Sequence, residues 1–253
     1  MDLDAAIIEP RKGRGEPDLP PSALLVFSPE DLDLCLQHLD QSQKHSKHLY
    51  LSALYCGAFR GVRVALSGPV LGAPQAVLVL EKLIALGARN VMALGWCGSL
   101  QSHVTIGDVV LPTAATSDEG TSKHYPTGPE QPEPAPGLIQ ALRETLRDRH
   151  LAVHQGTVWS TDAPYRETVR QVLAFQKQGV LAVEMELSAL FTVACFRGIH
   201  LAAVLAVSDE LHDLKWRHGF TNERFRQTRK KLAELSLQAL CSVQCSALVR
   251  NRS

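Results

Sequence analysis

Four polar residues stand where buried segments of the sequence end. Glu184 and Glu186 lie in VEME, directly before an apolar helix pattern, and Ser208 and Asp209 follow an apolar strand pattern. Carboxyl groups can stabilise a developing positive charge or transfer a proton. Polar groups at the carboxyl ends of buried parallel strands line ligand crevices, so these four residues are candidates for a site. A helix first turn and a helix cap would explain the same residues without any chemistry.

One helix and one strand must position these groups. The run LAAVLAV from Leu201 predicts a short buried parallel strand. The helix between the two pairs is predicted from apolar residues at helical spacing and a terminal glycine, which are Leu187, Leu190, Phe191, Ala194, Cys195 and Gly198. The layout is that of a βαβ-like unit with acids at its ends.

The composition has no charge bias. The chain has 253 residues, of which 45% are hydrophobic, and this is enough for one large core. Lys and Arg total 26 and Asp and Glu total 26, so the formal net charge is zero. There is then no electrostatic reason to expect a nucleic-acid or acidic-membrane partner, and we predict a small-molecule ligand. We also predict one domain over residues 23–253 and a flexible N-terminal segment over residues 1–22.

The cysteines and the chain start indicate where such a protein is found. The six cysteines have no paired CxxC spacing, and several lie in apolar runs, as expected of thiols in a reducing cytoplasm. No run of about 18 apolar residues exists that could span a membrane. The first residues, MDLDAAIIEPRKGRGEPDLPPS, are too charged and proline-rich for a secretory signal. We expect a cytoplasmic protein with no metal site and no cofactor.

Strand and helix patterns alternate along the rest of the chain. They predict, in order, a strand from Ala23, a helix capped by Ser28, two strands within 50–67, a helix ending at Gly87, strands at 91–94 and 106–112, a helix over 138–150, a strand in AVHQGTVWS and a terminal helix over 222–249. The sequence Gly95-Trp96-Cys97-Gly98 predicts a glycine turn with a close backbone approach. The proline-rich stretch within residues 113–137 predicts a surface loop or a lid.

Two stretches of the sequence share a family resemblance. The first is GPVLGAPQAVLVLEKLIALGARNVMALGWCGSLQSHVTIGDVVLPTAATSDEGTSKHY, and the second is VEMELSALFTVACFRG with AVSDEL. Both resemble the nucleoside phosphorylase family of uridine phosphorylase, hexameric purine nucleoside phosphorylase and the related nucleosidases. The resemblance covers most of residues 23–211. It implies an α/β fold, a three-layer sandwich around a mixed, partly barrel-like β-sheet, and cleavage of a nucleoside N-glycosidic bond through an oxocarbenium-like sugar.

The resemblance implies roles for the acids and their neighbours. Glu186, the second glutamate of VEME, would hold the ribose hydroxyls, Met185 would pack against the sugar, and Glu184 would also bind substrate. Asp209, with Ser208 beside it, would face the N7 side of a purine as the proton donor of purine-cleaving members. Uridine-cleaving members lack that aspartate, so a purine-type base is favoured. Donation near neutral pH requires that burial raises the pKa of Asp209.

Base recognition in the family uses a short segment that ends in an aromatic residue. Its equivalent here is 159–165, with proline at the place of the usual phenylalanine. We predict substrate contacts from Trp159 or Tyr165 in this segment and from Trp96 in the glycine turn, together with Cys97 and Gly98. Large aromatic residues are also common in cores and interfaces, which is the alternative explanation for them.

The phosphate site of the family's phosphorylases is altered. Two of its arginines are replaced by Asp31 and Ala93, and Trp96 stands in the turn that bears threonine. A third arginine, which a neighbouring subunit supplies in the family, falls near Tyr50. Loss of bidentate arginines weakens phosphate binding. In nucleosidases a glutamate at about this position activates water, so Asp31 or Glu30 are candidates for that role; both are equally explained as acids at a helix N-terminus.

Three functions remain open from the sequence. The first is a purine-salvage phosphorylase that uses inorganic phosphate as co-substrate, with Lys47, His48, Arg60 or Lys123 as replacement cations. The second is a nucleosidase that uses water, and the third is a non-catalytic nucleoside-binding protein. The commoner activity of the family places phosphorylase first. The resemblance also implies a homodimer or homohexamer, because neighbouring subunits complete the active site in the family.

Overall fold

Strands and helices alternate along the chain in a computed structural model that describes residues 3, 5–40, 45–126 and 132–250, without the side chains of 45–47 and 245–250. The strands of this described part are β1 (Ser22–Val26), β2 (His45–Leu49), β3 (Ser52–Phe59), β4 (Val62–Gly68), β5 (Asn90–Ser99), β6 (Val109–Asp118), β7 (Val153–Thr161), β8 (Ala182–Glu184), β9 (His200–Glu210) and β10 (Arg217–His218). Its α-helices are α1 (Pro29–Gln37), α2 (Ala73–Ala85), α3 (Pro136–Leu146), α4 (Val169–Lys177), α5 (Leu187–Arg197) and α6 (Glu223–Arg250).

The described strands form one mixed sheet that partly closes on itself. Their order is β10-β9-β6-β7-β8-β5-β1-β4-β3-β2, and β5 also pairs with β9. The strands β5, β9, β6, β7 and β8 therefore form a closed ring, and the others extend from it. β5 lies parallel to β1 and β9 and antiparallel to β8. This is the mixed, partly barrel-like sheet that the sequence predicted.

Helices cover both faces of the sheet. Side chains alternate between the two faces of a strand, so Ala23 and Leu25 of β1 belong to one core cluster and Leu24 and Val26 to another. α2 and α5 pack together over the first cluster, while α1 and α3 pack with α6 over the second. The arrangement is the three-layer sandwich that was predicted.

β5 differs from its prediction in a way that matters for the site. The strand continues to Ser99 through the residues that were expected to form a turn. The glycines of this segment instead allow close packing: a Cβ atom on Gly95 would collide with the ring of Phe27, and one on Gly98 would lie 2.8 Å from the carboxylate of Asp209. The close backbone approach is confirmed, and the turn is corrected to a strand.

Other element bounds also needed correction. β6 covers Val109–Asp118 and α3 ends at Leu146, whereas the predictions were 106–112 and 138–150. α4 and the short strands β2 and β10 were not predicted. Glu184 is the last residue of β8 and α5 begins at Leu187, so VEME crosses from a strand to a helix.

The loop and the N-terminal segment lie against the α2 and α5 face. Residues 127–131 of the predicted lid lie outside the described residues, and Tyr125, which precedes them, packs edge-on to Phe196 of α5 with 5.4 Å between ring centres. In the N-terminal segment Glu16 pairs with Lys82 at 2.6 Å and Glu9 with Arg197 at 3.1 Å. The segment that was predicted to be flexible thus has specific partners, which are distant in the sequence.

Two general features concern the described residues as a whole. No helix in the described part of the chain is long and apolar enough to cross a membrane. None of the cysteines whose side chains the structure describes forms a disulfide.

Candidate active site

Two adjoining cavities lie where β5, β8 and β9 end. The larger has a volume of about 640 Å³ and the smaller about 520 Å³. The residues that line both cavities are Leu71, Trp96, Glu184 and Met185. Each volume lies within the range of small-molecule sites, and the shared wall joins the two cavities into one candidate site.

The larger cavity contains the Ser208 and Asp209 pair that the sequence predicted. Trp96, Cys97 and Gly98 of β5 form one wall. Other walls are formed by residues before and at the start of α4 and after β9, among them Tyr165, Glu167, Val169, Leu214, Lys215, Trp216 and Phe220. Aromatic walls around a few polar groups suit a flat heterocyclic ligand.

Glu184 and Glu186 are fixed by backbone amides at two helix starts. Glu184 Oε2 accepts hydrogen bonds from the amides of Glu186 and Leu187, both at 2.7 Å, and its Oε1 accepts one from the hydroxyl of Ser160. Glu186 Oε1 accepts a 2.6 Å hydrogen bond from the amide of Gly72, the N-cap residue of α2. The two carboxyl groups are buried and rigidly oriented.

Burial makes this pair hard to ionise. It raises the pKa of Glu184 to about 7 and, together with the neighbouring Glu184 charge, the pKa of Glu186 to about 8. The hydrogen bonds from the backbone act in the opposite direction but do not offset burial. Near neutral pH the pair therefore retains about one proton, and the carboxylate that remains is in a region where its charge acts strongly.

Glu119 is a third buried carboxylate, which sequence reasoning missed. Its Oε1 accepts hydrogen bonds from Ser188 at 2.9 Å and from Ser117 at 2.8 Å. Burial alone would raise the pKa of Glu119, but donors from Ser122, Ser117 and the backbone outweigh it and lower the pKa. The charge of Glu119 contributes to the raised pKa of Glu184.

Asp209 is half-buried in the larger cavity and has two donors. Ser208 Oγ donates to its Oδ1 at 2.6 Å, and Trp216 Nε1 donates to its Oδ2 at 3.0 Å. Burial raises the pKa of Asp209 even though both donors favour the ionised form; Glu210 also raises it and His218 lowers it. The environment is therefore of the kind that keeps an acid protonated closer to neutral pH.

The smaller cavity lies beside Glu186 and is lined by acids and apolar groups. Its carboxyl groups are Glu30, Glu184 and Glu186. Its other walls include Phe27, Ser28, Pro29, Pro69, Val70 and Gln75. No Lys, Arg or His is among the described residues that line it. Such a lining disfavours an anion.

Comparison with known proteins identifies the family. The model of the family described as the phosphorylase superfamily matches residues 21–243. The chain belongs to the phosphorylase superfamily. The chain is 30% identical over 187 residues to a DeoD-type purine nucleoside phosphorylase of Bacillus cereus. The alignment covers 73% of this chain and 78% of that relative.

Solved structures show the same fold. A uridine phosphorylase from Vibrio fischeri ES114 superposes with a TM-score of 0.80 at 23% identity, covering 88% of this superfamily member and 93% of that chain. A purine nucleoside phosphorylase from Toxoplasma gondii in complex with immucillin-H superposes with a TM-score of 0.82 at 19% identity, covering 90% and 93%. These likenesses confirm the predicted nucleoside phosphorylase-like fold.

Asp31 does not reach the site in this superfamily member. Its Oδ1 accepts a 2.7 Å hydrogen bond from Arg229 Nε, and its Oδ2 accepts a 2.5 Å hydrogen bond from Trp96 Nε1. The guanidinium of Arg229 lies 4.4 Å from the centre of the Trp96 ring. Burial raises the pKa of Asp31, while Arg229 and the hydrogen bonds lower it. Of the two residues predicted to activate water, the structure brings only Glu30 to a cavity.

Three of the four predicted replacement cations line neither cavity. Arg60 forms an exposed ion pair with Glu234 at 2.7 Å, and Arg60, His48 and Lys123 line neither cavity. The side chain of Lys47 lies outside the described residues.

The predicted aromatic residues separate into two groups. Trp96 lines both cavities and Tyr165 lines the larger one. Trp159 lines neither, since it is fully buried, stacks on Phe175 at 4.5 Å between ring centres and donates to Asp118 at 3.2 Å. Trp159 is therefore a core residue, in agreement with the alternative explanation from the sequence.

Glu167 and Trp216 line the larger cavity and were not predicted as site residues. Glu167 follows a short 3-10 helix (Pro164–Arg166), and Trp216 lies between β9 and β10. Both lie in segments for which the sequence patterns predicted no helix or strand. Their place in the same cavity as Ser208 and Asp209 was not visible in the sequence.

Proposed function

We propose that this chain cleaves the N-glycosidic bond of a purine-type nucleoside and that water accepts the sugar. Glu186 holds the ribose hydroxyls, Met185 packs against the sugar, and Asp209 donates a proton to N7 of the base. The observation that supports water over phosphate is the smaller cavity, whose three carboxyl groups have no cation beside them among the described residues that line it.

The chemistry requires opposite charges at the two ends of the breaking bond. The sugar becomes positive, and a carboxylate of the buried Glu184 and Glu186 pair lowers the energy of that cation. The leaving base becomes negative, and a proton from Asp209 neutralises it. The raised pKa of Asp209, caused mainly by burial, keeps this proton available closer to neutral pH.

We assign to Glu30 the activation of water, in which its carboxylate accepts a proton from the attacking water molecule. It lines the smaller cavity together with Glu186, and it lies in the first turn of α1, where the helix dipole favours a negative charge. A phosphate dianion in the same place would meet carboxylates at short range in a partly desolvated cavity, which is repulsive. Water has no such penalty.

Phosphorolysis is the second candidate, because the similar Bacillus cereus protein is described as a purine nucleoside phosphorylase. It would require cations from another copy of the chain. Residues near Tyr50, including the exposed His48, are those that the family resemblance places at a subunit boundary.

The test is a nucleoside screen with and without millimolar phosphate, which measures free base, ribose and ribose 1-phosphate. Release of base and ribose at a rate that phosphate barely changes is the expected result. Phosphate-dependent formation of ribose 1-phosphate would show that the reaction is phosphorolysis and not hydrolysis. Nucleoside binding without release of base would show the non-catalytic alternative.

A further inference from the structure

The acids of the larger cavity differ in how many partners they have. Asp209 accepts hydrogen bonds from Ser208 and Trp216, and Glu184 accepts them from Ser160 and two backbone amides. Glu167 lines the same cavity, but its carboxyl group has no hydrogen bond or ion pair with any described residue. Its oxygens are free to contact a ligand.

The backbone holds Glu167 in a defined place. Its amide donates to the carbonyl of Pro164 at 3.3 Å, at the end of the 3-10 helix. The next residue, Thr168, is the N-cap of α4 and forms a capping box with Gln171. Glu167 therefore lies between two short helical segments with fixed ends, which limits how far its carboxyl group can move.

The charge of Asp209 acts on Glu167, which lines the same cavity. Burial and the nearby Asp209 raise the pKa of Glu167 to about 7. Other charged groups near this pair are Lys215 and Glu184, which line the cavity, and Glu210 and His218, which act on Asp209. Two carboxyl groups that face one cavity resist ionising together, so the pair favours the state in which one of them keeps its proton.

We propose that Glu167 recognises the substituent at C6 of the purine while Asp209 contacts N7, so that the site prefers 6-aminopurine nucleosides to 6-oxopurine nucleosides. This inference rests on the proposed function. A pair with one proton offers one donor and one acceptor. A 6-aminopurine presents the complementary set, because N7 accepts and the amino group donates. A 6-oxopurine presents two acceptors and therefore requires a second proton on the pair.

The experiment compares kcat/KM for adenosine and inosine in the unaltered chain, in Glu167→Gln and in Asp162→Asn. The unaltered chain should prefer adenosine by at least about tenfold, since a site loses affinity when a buried polar group lacks its partner. Glu167→Gln should reduce that preference at least about tenfold, because an amide can also donate to O6. Asp162→Asn should keep it. Asp162 is in the same segment but lines neither cavity, and asparagine retains the oxygen that accepts from Gly120.

The pH dependence gives a second readout. Relative activity on inosine should increase as the pH is lowered and the pair gains its second proton. In Glu167→Gln this increase should disappear. A ratio of adenosine to inosine activity that is independent of pH in the unaltered chain would contradict the shared proton and overturn the inference.

Binding of free adenine and hypoxanthine, measured by calorimetry, separates this inference from the proposed function. Tighter binding of adenine, lost in Glu167→Gln, would support the role of Glu167 even if no nucleoside were cleaved. Cleavage with the same base preference in Glu167→Gln and the unaltered chain would overturn that role and leave the proposed function intact. Absence of both cleavage and base binding would overturn both.

Discussion

Glu186 and Asp209 are the residues whose substitution tests the chemistry most directly. Glu186→Gln removes the carboxyl group that the proposed mechanism places beside the sugar but keeps an oxygen for the amide of Gly72. Asp209→Asn removes the acidic proton but keeps an acceptor for Ser208 or Trp216. Each variant should lose at least about tenfold in turnover, or about 1.4 kcal/mol of transition-state stabilisation. The measurement is release of free base, with thermal denaturation to verify folding. Full activity in both variants would exclude these residues from the mechanism.

The buried pair should also make the stability of the chain depend on pH. The ordinary glutamate pKa is 4.5, and burial raises the pKa of Glu184 to about 7 and that of Glu186 to about 8. Between the unfolded pKa of 4.5 and the folded pKa values of about 7 and about 8, the two groups bind more protons in the folded state than in the unfolded state. The free energy of unfolding therefore falls as the pH rises through this range. The contribution of the pair is fully present below the unfolded pKa and is lost as the pH passes the folded values.

Glu186→Gln should therefore reduce the loss of stability between about pH 5 and pH 9 by at least about 1 kcal/mol, since one pKa unit corresponds to about 1.4 kcal/mol. Urea denaturation at a series of pH values measures this. Glu144→Gln, which changes an exposed glutamate of α3, is the control. Equal pH dependence in Glu186→Gln and in the unaltered chain would show that Glu186 titrates normally.

The sequence indicated some of these residues and not others for physical reasons. VEME and the Ser208 and Asp209 pair could be assigned because their order along the chain follows that of the family. Glu167 could not, because nothing in its neighbours distinguishes an acid that faces a cavity from one that faces water. Trp159 and Tyr165 are similar in type, and only the fold shows that one is in the core and the other at the cavity mouth.

At the scale of elements, a buried ion pair joins α1 to α6. Asp31 and Arg229 are 198 residues apart in the sequence and 2.7 Å apart in the structure. Arg229→Met would leave Asp31 buried without a cation, and we expect a loss of about 3–5 kcal/mol in the free energy of unfolding. Urea denaturation measures the loss.

Two further variants make that measurement specific. Adding Asp31→Asn to Arg229→Met should recover part of the lost stability, because no uncompensated charge then remains. Arg60→Met removes an exposed ion pair with Glu234 and should cost less than about 1 kcal/mol. If Arg229→Met costs no more than Arg60→Met, the pair does not hold α1 and α6 together.

Element ends that depend on local chemistry were predictable, and long-range contacts were not. Ser28 caps α1 by accepting from the amide of Asp31 at 3.1 Å, and Gly198 ends α5 in the left-handed region with a φ of 64°. Both follow from residue type. The ion pair of Asp31 with Arg229 and the length of β5 depend on partners far away in the chain. For the same reason the family resemblance could offer both Glu30 and Asp31 as candidates for water activation, without showing that Asp31 pairs with Arg229.

At the scale of the whole molecule, the fold followed from the family resemblance rather than from the pattern of single elements. Short apolar runs predicted most of the strands that form the sheet. The pairing of β5 with β9, which closes the ring and brings Gly98 beside Asp209, is a long-range choice that no local pattern records. Large parts of the site therefore depend on this long-range pairing and could not be located from the sequence patterns.

Exposed apolar side chains surround the mouth of the larger cavity. Leu71 is 72% exposed, Trp216 61% and Tyr165 98%, and all three line that cavity. Val169 and Leu173, one helical turn apart on α4, are also exposed. Patches of this kind around a polar site are typical of protein interfaces. A second copy of the chain that covers them would also limit access of water to the site.

We therefore expect a homodimer or a homohexamer in which this rim is covered. Leu173→Arg, which places a charge beside the rim without altering a cavity residue, should lower both the molar mass in light scattering at micromolar concentration and the turnover number. Glu144→Arg, on α3, which contributes no residue to either cavity, should change neither. A monomeric mass for the unaltered chain, with full activity, would show that one copy completes its own site and that the apolar rim has another use.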